Sequence, residues 1–117
     1  MASEDSIQSH DQDSTLATLL NTYYEQYLAS GEYDEAIALY CELLGYQPDV
    51  QGYHELGVYL AEQEEWHDAI ACFLHSIRLD PDFFEGYYNL GVCLQQLQQY
   101  TAAIQVYQQA VRLKPDA

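Results

Sequence analysis

The side chains in this 117-residue chain best suited to metal binding or nucleophilic chemistry are four histidines and three cysteines. They are His10, His54, His67 and His75, and Cys41, Cys72 and Cys93. A zinc site needs several donors within about 2.3 Å of one ion, and short motifs such as HExxH, CxxC or His-x3-His supply them. None of these spacings occurs, so no metal ligands are assigned. A phosphate loop needs clustered glycines whose backbone N–H groups cradle the anion, and the six glycines here stand singly. His67 beside Asp68, with Cys72 close in sequence, has the residue types of a nucleophile and its base. However, His67 falls at a helix start on a solvent-facing position, and nothing nearby supplies an oxyanion hole. No catalytic residue and no cofactor are assigned, and the chain is read as a non-enzyme. The cysteines lie in the apolar stretches ALYCELL, IACFL and GVCLQQL, odd in number and far apart. They are expected as buried free thiols, not as a disulfide framework.

Charge narrows the range of partners. Three basic residues face nineteen acidic ones, for a formal charge of −16, and residues 1–77 contain no Lys or Arg. Nucleic-acid binding rests on cations that neutralise phosphates, which argues against it here. The same shortage argues against anionic membrane surfaces. A basic partner, or an apolar one with a basic flank, suits the balance better. No apolar run approaches the roughly 18 residues needed to cross a bilayer. The start, MASEDSIQSHDQD, lacks the basic and apolar regions of a secretory signal. The chain is therefore read as cytoplasmic.

Residues 1–13 are polar and acidic without periodicity, and are expected to form a flexible tail. From Ser14, a helix cap, apolar residues recur at helical spacing: Leu16, Leu19, Leu20, Tyr23, Tyr24 and Tyr27. Gly31 ends that helix, and a second runs from about Tyr33 to Leu44 and stops at Gly45. Pro48 then breaks the chain and Asp49 caps the next helix. Further helices are expected near 50–63, 66–79, 83–97 and 100–113, with LDPD and LKPD as turns. Six helices with short connectors make three antiparallel pairs.

The pairs repeat. EYDEAI, EWHDAI and QYTAAI recur at intervals of 33 and 34 residues, each with an aromatic ring three residues before an alanine. GYHELGVYLAEQEEWHDAIACFLHSIRLDPD (52–82) aligns with GYYNLGVCLQQLQQYTAAIQVYQQAVRLKPD (86–116). One copy carries Tyr53, Leu56, Gly57, Leu60, Ala69, Phe73 and Pro81; the next carries Tyr87, Leu90, Gly91, Leu94, Ala103, Tyr107, Ala110 and Pro115. This pattern resembles the tetratricopeptide repeat, a helix-turn-helix unit of about 34 residues. The first copy keeps Tyr27, Ala36, Tyr40 and Pro48 but has Tyr23 and Tyr24 in place of the Leu-Gly pair, as a terminal capping repeat would. The resemblance implies an all-α fold, a right-handed solenoid of three antiparallel helix pairs, with repeats at about 14–48, 50–82 and 83–117. Glycine inside a helix costs about 1 kcal/mol against alanine, so Gly57 and Gly91 at equivalent positions point to close helix crossings, with Ala69 and Ala103 on the partner helices.

The resemblance also implies a function. In this family the first helix of each pair lines a concave groove that holds a protein segment. On that register the groove residues are Asn21, Glu25 and Leu28; His54, Val58, Ala61 and Glu62; and Tyr88, Asn89, Val92 and Gln95. The subclass that grips acidic chaperone tails does so through Lys, Arg and Asn. Only Asn89 matches here, so acidic tails are not expected to bind. The expected activity is that of a non-catalytic scaffold binding a basic or apolar segment. Two alternatives stand beside it. GYYNLG (86–91) resembles repeats found ahead of glycosyltransferases, which would make the chain the targeting domain of a longer protein. Of the asparagine ladder such proteins carry, only Asn89 is present among Thr22, Glu55 and Asn89. An assembly factor working through its stacking surface is the other. Val106, Tyr107, Ala110 and Val111 include residues that would face a further helix, so homo-oligomerisation through the uncapped third pair is also expected.

Overall fold

The computed structural model describes residues 16–115, so the acidic segment 1–13 and the Ser14 cap lie outside the described residues. Six helices follow one another, and no strand occurs among the described residues. We number them α1 (16–29), α2 (Asp34–Leu44), α3 (Val50–Glu62), α4 (Trp66–Leu79), α5 (Phe84–Gln96) and α6 (Tyr100–Leu113). The connectors carry the expected stop signals. Gly45 takes φ +82°, a left-handed value that costs glycine nothing, and its N–H bonds to the Cys41 carbonyl. Asp49 caps α3 by accepting the Gly52 N–H at 2.7 Å. Past Pro81, the Tyr87 hydroxyl donates to the proline carbonyl at 2.9 Å and fastens the turn into α5.

The second and third pairs are built alike. An ideal Cβ placed on Gly57 of α3 would lie 2.6 Å from the Phe73 ring of α4. The same construction on Gly91 of α5 would lie 2.6 Å from the Tyr107 ring of α6. Each ring therefore rests directly on a glycine backbone, which is why this residue is tolerated inside both helices. Ala69 and Ala103, fully or nearly buried, sit at the start of the partner helices, while Ala36 on α2 is half-buried. Helix α5 then packs across α4 and joins the pairs into one core containing Leu56, Leu60, Ile70, Ile77, Leu90 and Leu94.

The first pair departs from this plan. α2 rests on α3 and α4, and the Tyr24–Ala29 segment of α1 lies against α4 while Tyr27 also meets the Tyr33 ring before α2 at 5.0 Å. The Tyr27 hydroxyl is hydrogen-bonded to His67 Nδ1 at 2.8 Å, and Tyr23 donates to the Gln99 side chain at the start of α6. The physical reason lies in the missing Leu-Gly pair. Tyr23 and Tyr24 occupy the place where Gly57 and Gly91 admit a ring, so α1 has no notch for its neighbour. Its bulky side chains find room on α4, and within α1 residues Tyr24–Ala29 open into a π-helix with Tyr27 and Leu28 buried. On α4, Ala71 and Leu74 are both fully buried. Their counterparts 34 residues on are Gln105 and Gln108.

Gly57→Ala is expected to lower stability by about 2 kcal/mol despite its better helix propensity, a fall of roughly 10 °C in midpoint. Gly91→Ala should cost less, because Tyr107 is half-exposed and can swing outward whereas Phe73 is buried. Gly91→Leu exceeds that freedom and should unfold the third pair. Thermal melts followed by circular dichroism test the ranking; unchanged midpoints would refute the packing described.

Candidate functional site

On α3 the side chains at 54, 58, 61 and 62 share a face, since residues three and four apart are neighbours on a helix. On α5 the residues at 88, 89, 92 and 95 do the same. The structure brings part of this set together. Val58, Ala61 and Glu62 of α3 and Asn89 and Val92 of α5 line one cavity of about 220 Å³, closed by Trp66 and Phe73 of α4. Phe73 is also the repeat residue packed on Gly57, and Trp66 is the ring of the recurrent phrase EWHDAI. Their second role as cavity wall follows from the α3–α5 separation, which no local pattern records. The lining is apolar apart from Asn89 and the single carboxylate of Glu62.

His54 is not a free groove donor. Asn89 Nδ2 donates to His54 Nε2 at 2.9 Å, tying the second pair to the third. That bond places the imidazole proton on Nδ1, which is buried without a partner. Phe83 meets the ring edge-on with centroids 5.1 Å apart. Burial lowers the His54 pKa below its ordinary 6.5, outweighing the opposing pull of Glu85 and Glu55. Tyr88 and Gln95 are exposed but turned toward α6: the Tyr88 ring lies 5.7 Å from that of Tyr107, whose hydroxyl donates to Gln95 at 2.9 Å. Asn21 and Glu25 are exposed on α1 and do not line the cavity. Leu28 corrects the sequence expectation. It is 6% exposed and belongs to the core, because α1 turns that side of itself toward α4.

The other chemistry-bearing residues are similarly engaged in packing. His75 Nε2–H donates to Asp34 at 3.0 Å and its ring stacks on Tyr53 at 4.6 Å, fixing α2 against α3 and α4. Burial lowers its pKa too, more than the Asp34 contact raises it. With Cys41, Ile37, Ala38 and Pro48 these residues line a second cavity of about 320 Å³. The thiols are free and held protonated: burial pushes Cys93 up to about 12, and also raises Cys41 and Cys72. Among the described residues no group of three or more His, Cys, Asp or Glu is placed to hold a metal ion. No helix among them is long and apolar enough to cross a membrane.

Two tetratricopeptide repeat family models match the chain, one over residues 54–117 and one over 27–50. The first spans more than half of the sequence, and the chain belongs to the tetratricopeptide repeat family. Comparison with curated proteins gives no match. Repeats of this family are typically non-catalytic modules that mediate protein–protein interaction, and at that level of description the chain is an interaction module.

The histidine shifts set a pH dependence. Both His54 and His75 have folded-state pKa values below the ordinary 6.5. Below that value the unfolded chain binds more protons than the folded one, so stability is lost as pH falls. Urea unfolding should show decreasing stability from about pH 7.5 to about 5.5. The His54→Gln/His75→Gln variant should lose much of that slope. An unchanged slope would contradict the assignment.

Proposed function

We propose that this chain holds a segment of another protein, one with apolar anchors flanked by Lys or Arg, in the cleft between α3 and α5. The observation that carries the reading is the cavity bounded by Val58, Ala61, Val92, Trp66 and Phe73 with Glu62 at its edge. An apolar hollow of this kind takes a side-chain anchor, and a carboxylate beside it favours a cationic flank. The surrounding carboxylates Glu55 and Glu85 add to the same sign, and neither α3 nor α5 carries a Lys or Arg. The module acts in the cytoplasm and without catalysis of its own. The tail (1–13) and the repeat divisions near residues 48 and 82 belong to the same proposal. So does association between copies through the third pair.

A pull-down from native lysate, repeated at raised salt, identifies the bound segment. Affinity for that segment should fall about tenfold in Glu62→Lys and further in Val92→Asp, both at positions outside the packed core. Acidic peptides should not bind. Retention of full affinity by both folded variants would refute the cleft as the binding site.

A further inference from the structure

The third pair repeats the second at an offset of 34 residues, so each position on α6 has a counterpart on α4 whose surroundings can be compared. Ile70 is 0% exposed and its counterpart Ile104 is 55% exposed. Ile77 is 1% exposed and Val111 is 60% exposed. On α4 this edge is covered by α5: a Cβ on Gly86 would come within 2.5 Å of Ile77 Cγ2. On α6, Tyr100, Ile104, Tyr107 and Val111 follow at i, i+4, i+7 and i+11 and form one continuous stripe, none of it fully buried. The edge that receives a helix in the second pair is thus present in the third and uncovered by any described residue.

The charge at this end differs from the rest of the chain. No acidic residue lies between Glu85 and Asp116, and Arg112 and Lys114 are the only charged side chains in that interval. All other acidic residues lie at or before Glu85. A helix suited to the stripe therefore carries exposed apolar residues flanked by carboxylates. The chain itself has such a helix. α2 exposes Leu39 at 56% and Leu43 at 77%. Glu35 and Glu42, four residues before and three after Leu39, are exposed on the same side. The opposite side of α2 is already occupied, with Ile37 buried and Asp34 bonded to His75. α2 packs on α3 and α4 while α6 packs on α5, so the two faces belong to different helix pairs and do not cover one another.

We propose that copies associate head to tail, the Tyr100–Ile104–Val111 stripe of one copy receiving α2 of the next through Leu39 and Leu43. Arg112 and Lys114 then face Glu35 and Glu42. This deepens the self-association named above and rests on it, while being independent of the α3–α5 cleft. The contact is heterologous, so each copy keeps one free face and copies add in an open array or close into a ring. Pairing two α2 faces instead would oppose glutamates, and pairing two α6 faces would oppose cations and leave the α2 leucines in water.

Sedimentation of the full chain, with half-blocked variants, tests this. Wild type should grow in mass with concentration and weaken several-fold at ~0.5 M salt. Ile104→Glu and Leu43→Glu, both exposed and expected to melt like wild type, should each abolish association alone. Mixed together, they should form a discrete dimer, because one retains α2 and the other retains the stripe. Arg112→Glu should weaken association and recover with Glu42→Lys. Association retained by Leu43→Glu alone would overturn the head-to-tail pairing while leaving self-association standing. A monomeric wild type at every concentration would overturn both, and Glu62→Lys binding data would still judge the cleft separately.

Discussion

An aromatic ring packed directly against a glycine backbone sets the distance between the two helices of each complete pair. Phe73 on Gly57 and Tyr107 on Gly91 bring the axes closer than any side chain at the glycine positions would allow. That closeness lets leucines from both helices fill the space to either side, and the pair then offers a flat apolar flank to its neighbour. The penalty of an unfavourable helical glycine is accepted twice because the ring contact and the burial it permits outweigh it. Where the glycine is missing, the architecture changes: α1 carries tyrosines at that place, and its Tyr24–Ala29 segment lies against α4.

Helix α4 consequently occupies the centre of the molecule. It touches α3 through the ring–glycine contact and also packs against α5, α1 and α2. Eight of its residues are buried, including Ser76, whose hydroxyl donates to the Val50 carbonyl at 3.0 Å. The three histidines among the described residues serve this assembly. Each joins helices from different parts of the chain: His67 to α1, His75 to α2, and His54 on α3 to α5. In a chain with so few cations, these imidazoles supply polar links between helices distant in sequence.

Much of the fold could be read from local pattern. Gly31, Gly45, Pro48 with Asp49, and the paired glycines mark helix ends and crossings through chemistry confined to a few neighbouring residues, and the observed boundaries fall within one residue of those expected for α2 to α6. The cleft was legible in part. Val58, Ala61, Glu62, Asn89 and Val92 share helix faces by simple periodicity and meet in the cavity. Leu28 lies in the core and not in the groove because the family register follows a repeat whose first helix packs differently. Trp66 and Phe73 were not anticipated as lining because they arise from another helix. One signal for the placement of α1 was present: Ala71 and Leu74 are apolar where Gln105 and Gln108 are polar, and that contrast marks a face of α4 covered by something.

By itself, then, the sequence determined the all-α class, the positions and ends of the helices, and the register at which the second and third pairs close. Those properties follow from backbone preferences and side-chain periodicity within a few turns, where each residue's partners are its near neighbours. Only the tertiary structure decided which face α1 covers, which partner each histidine takes, and which apolar edges stay open to water. These outcomes depend on competition among surfaces distant in the chain, as when Tyr27 meets His67 forty residues away. A residue's type limits such a choice, but the packing of every other helix settles it.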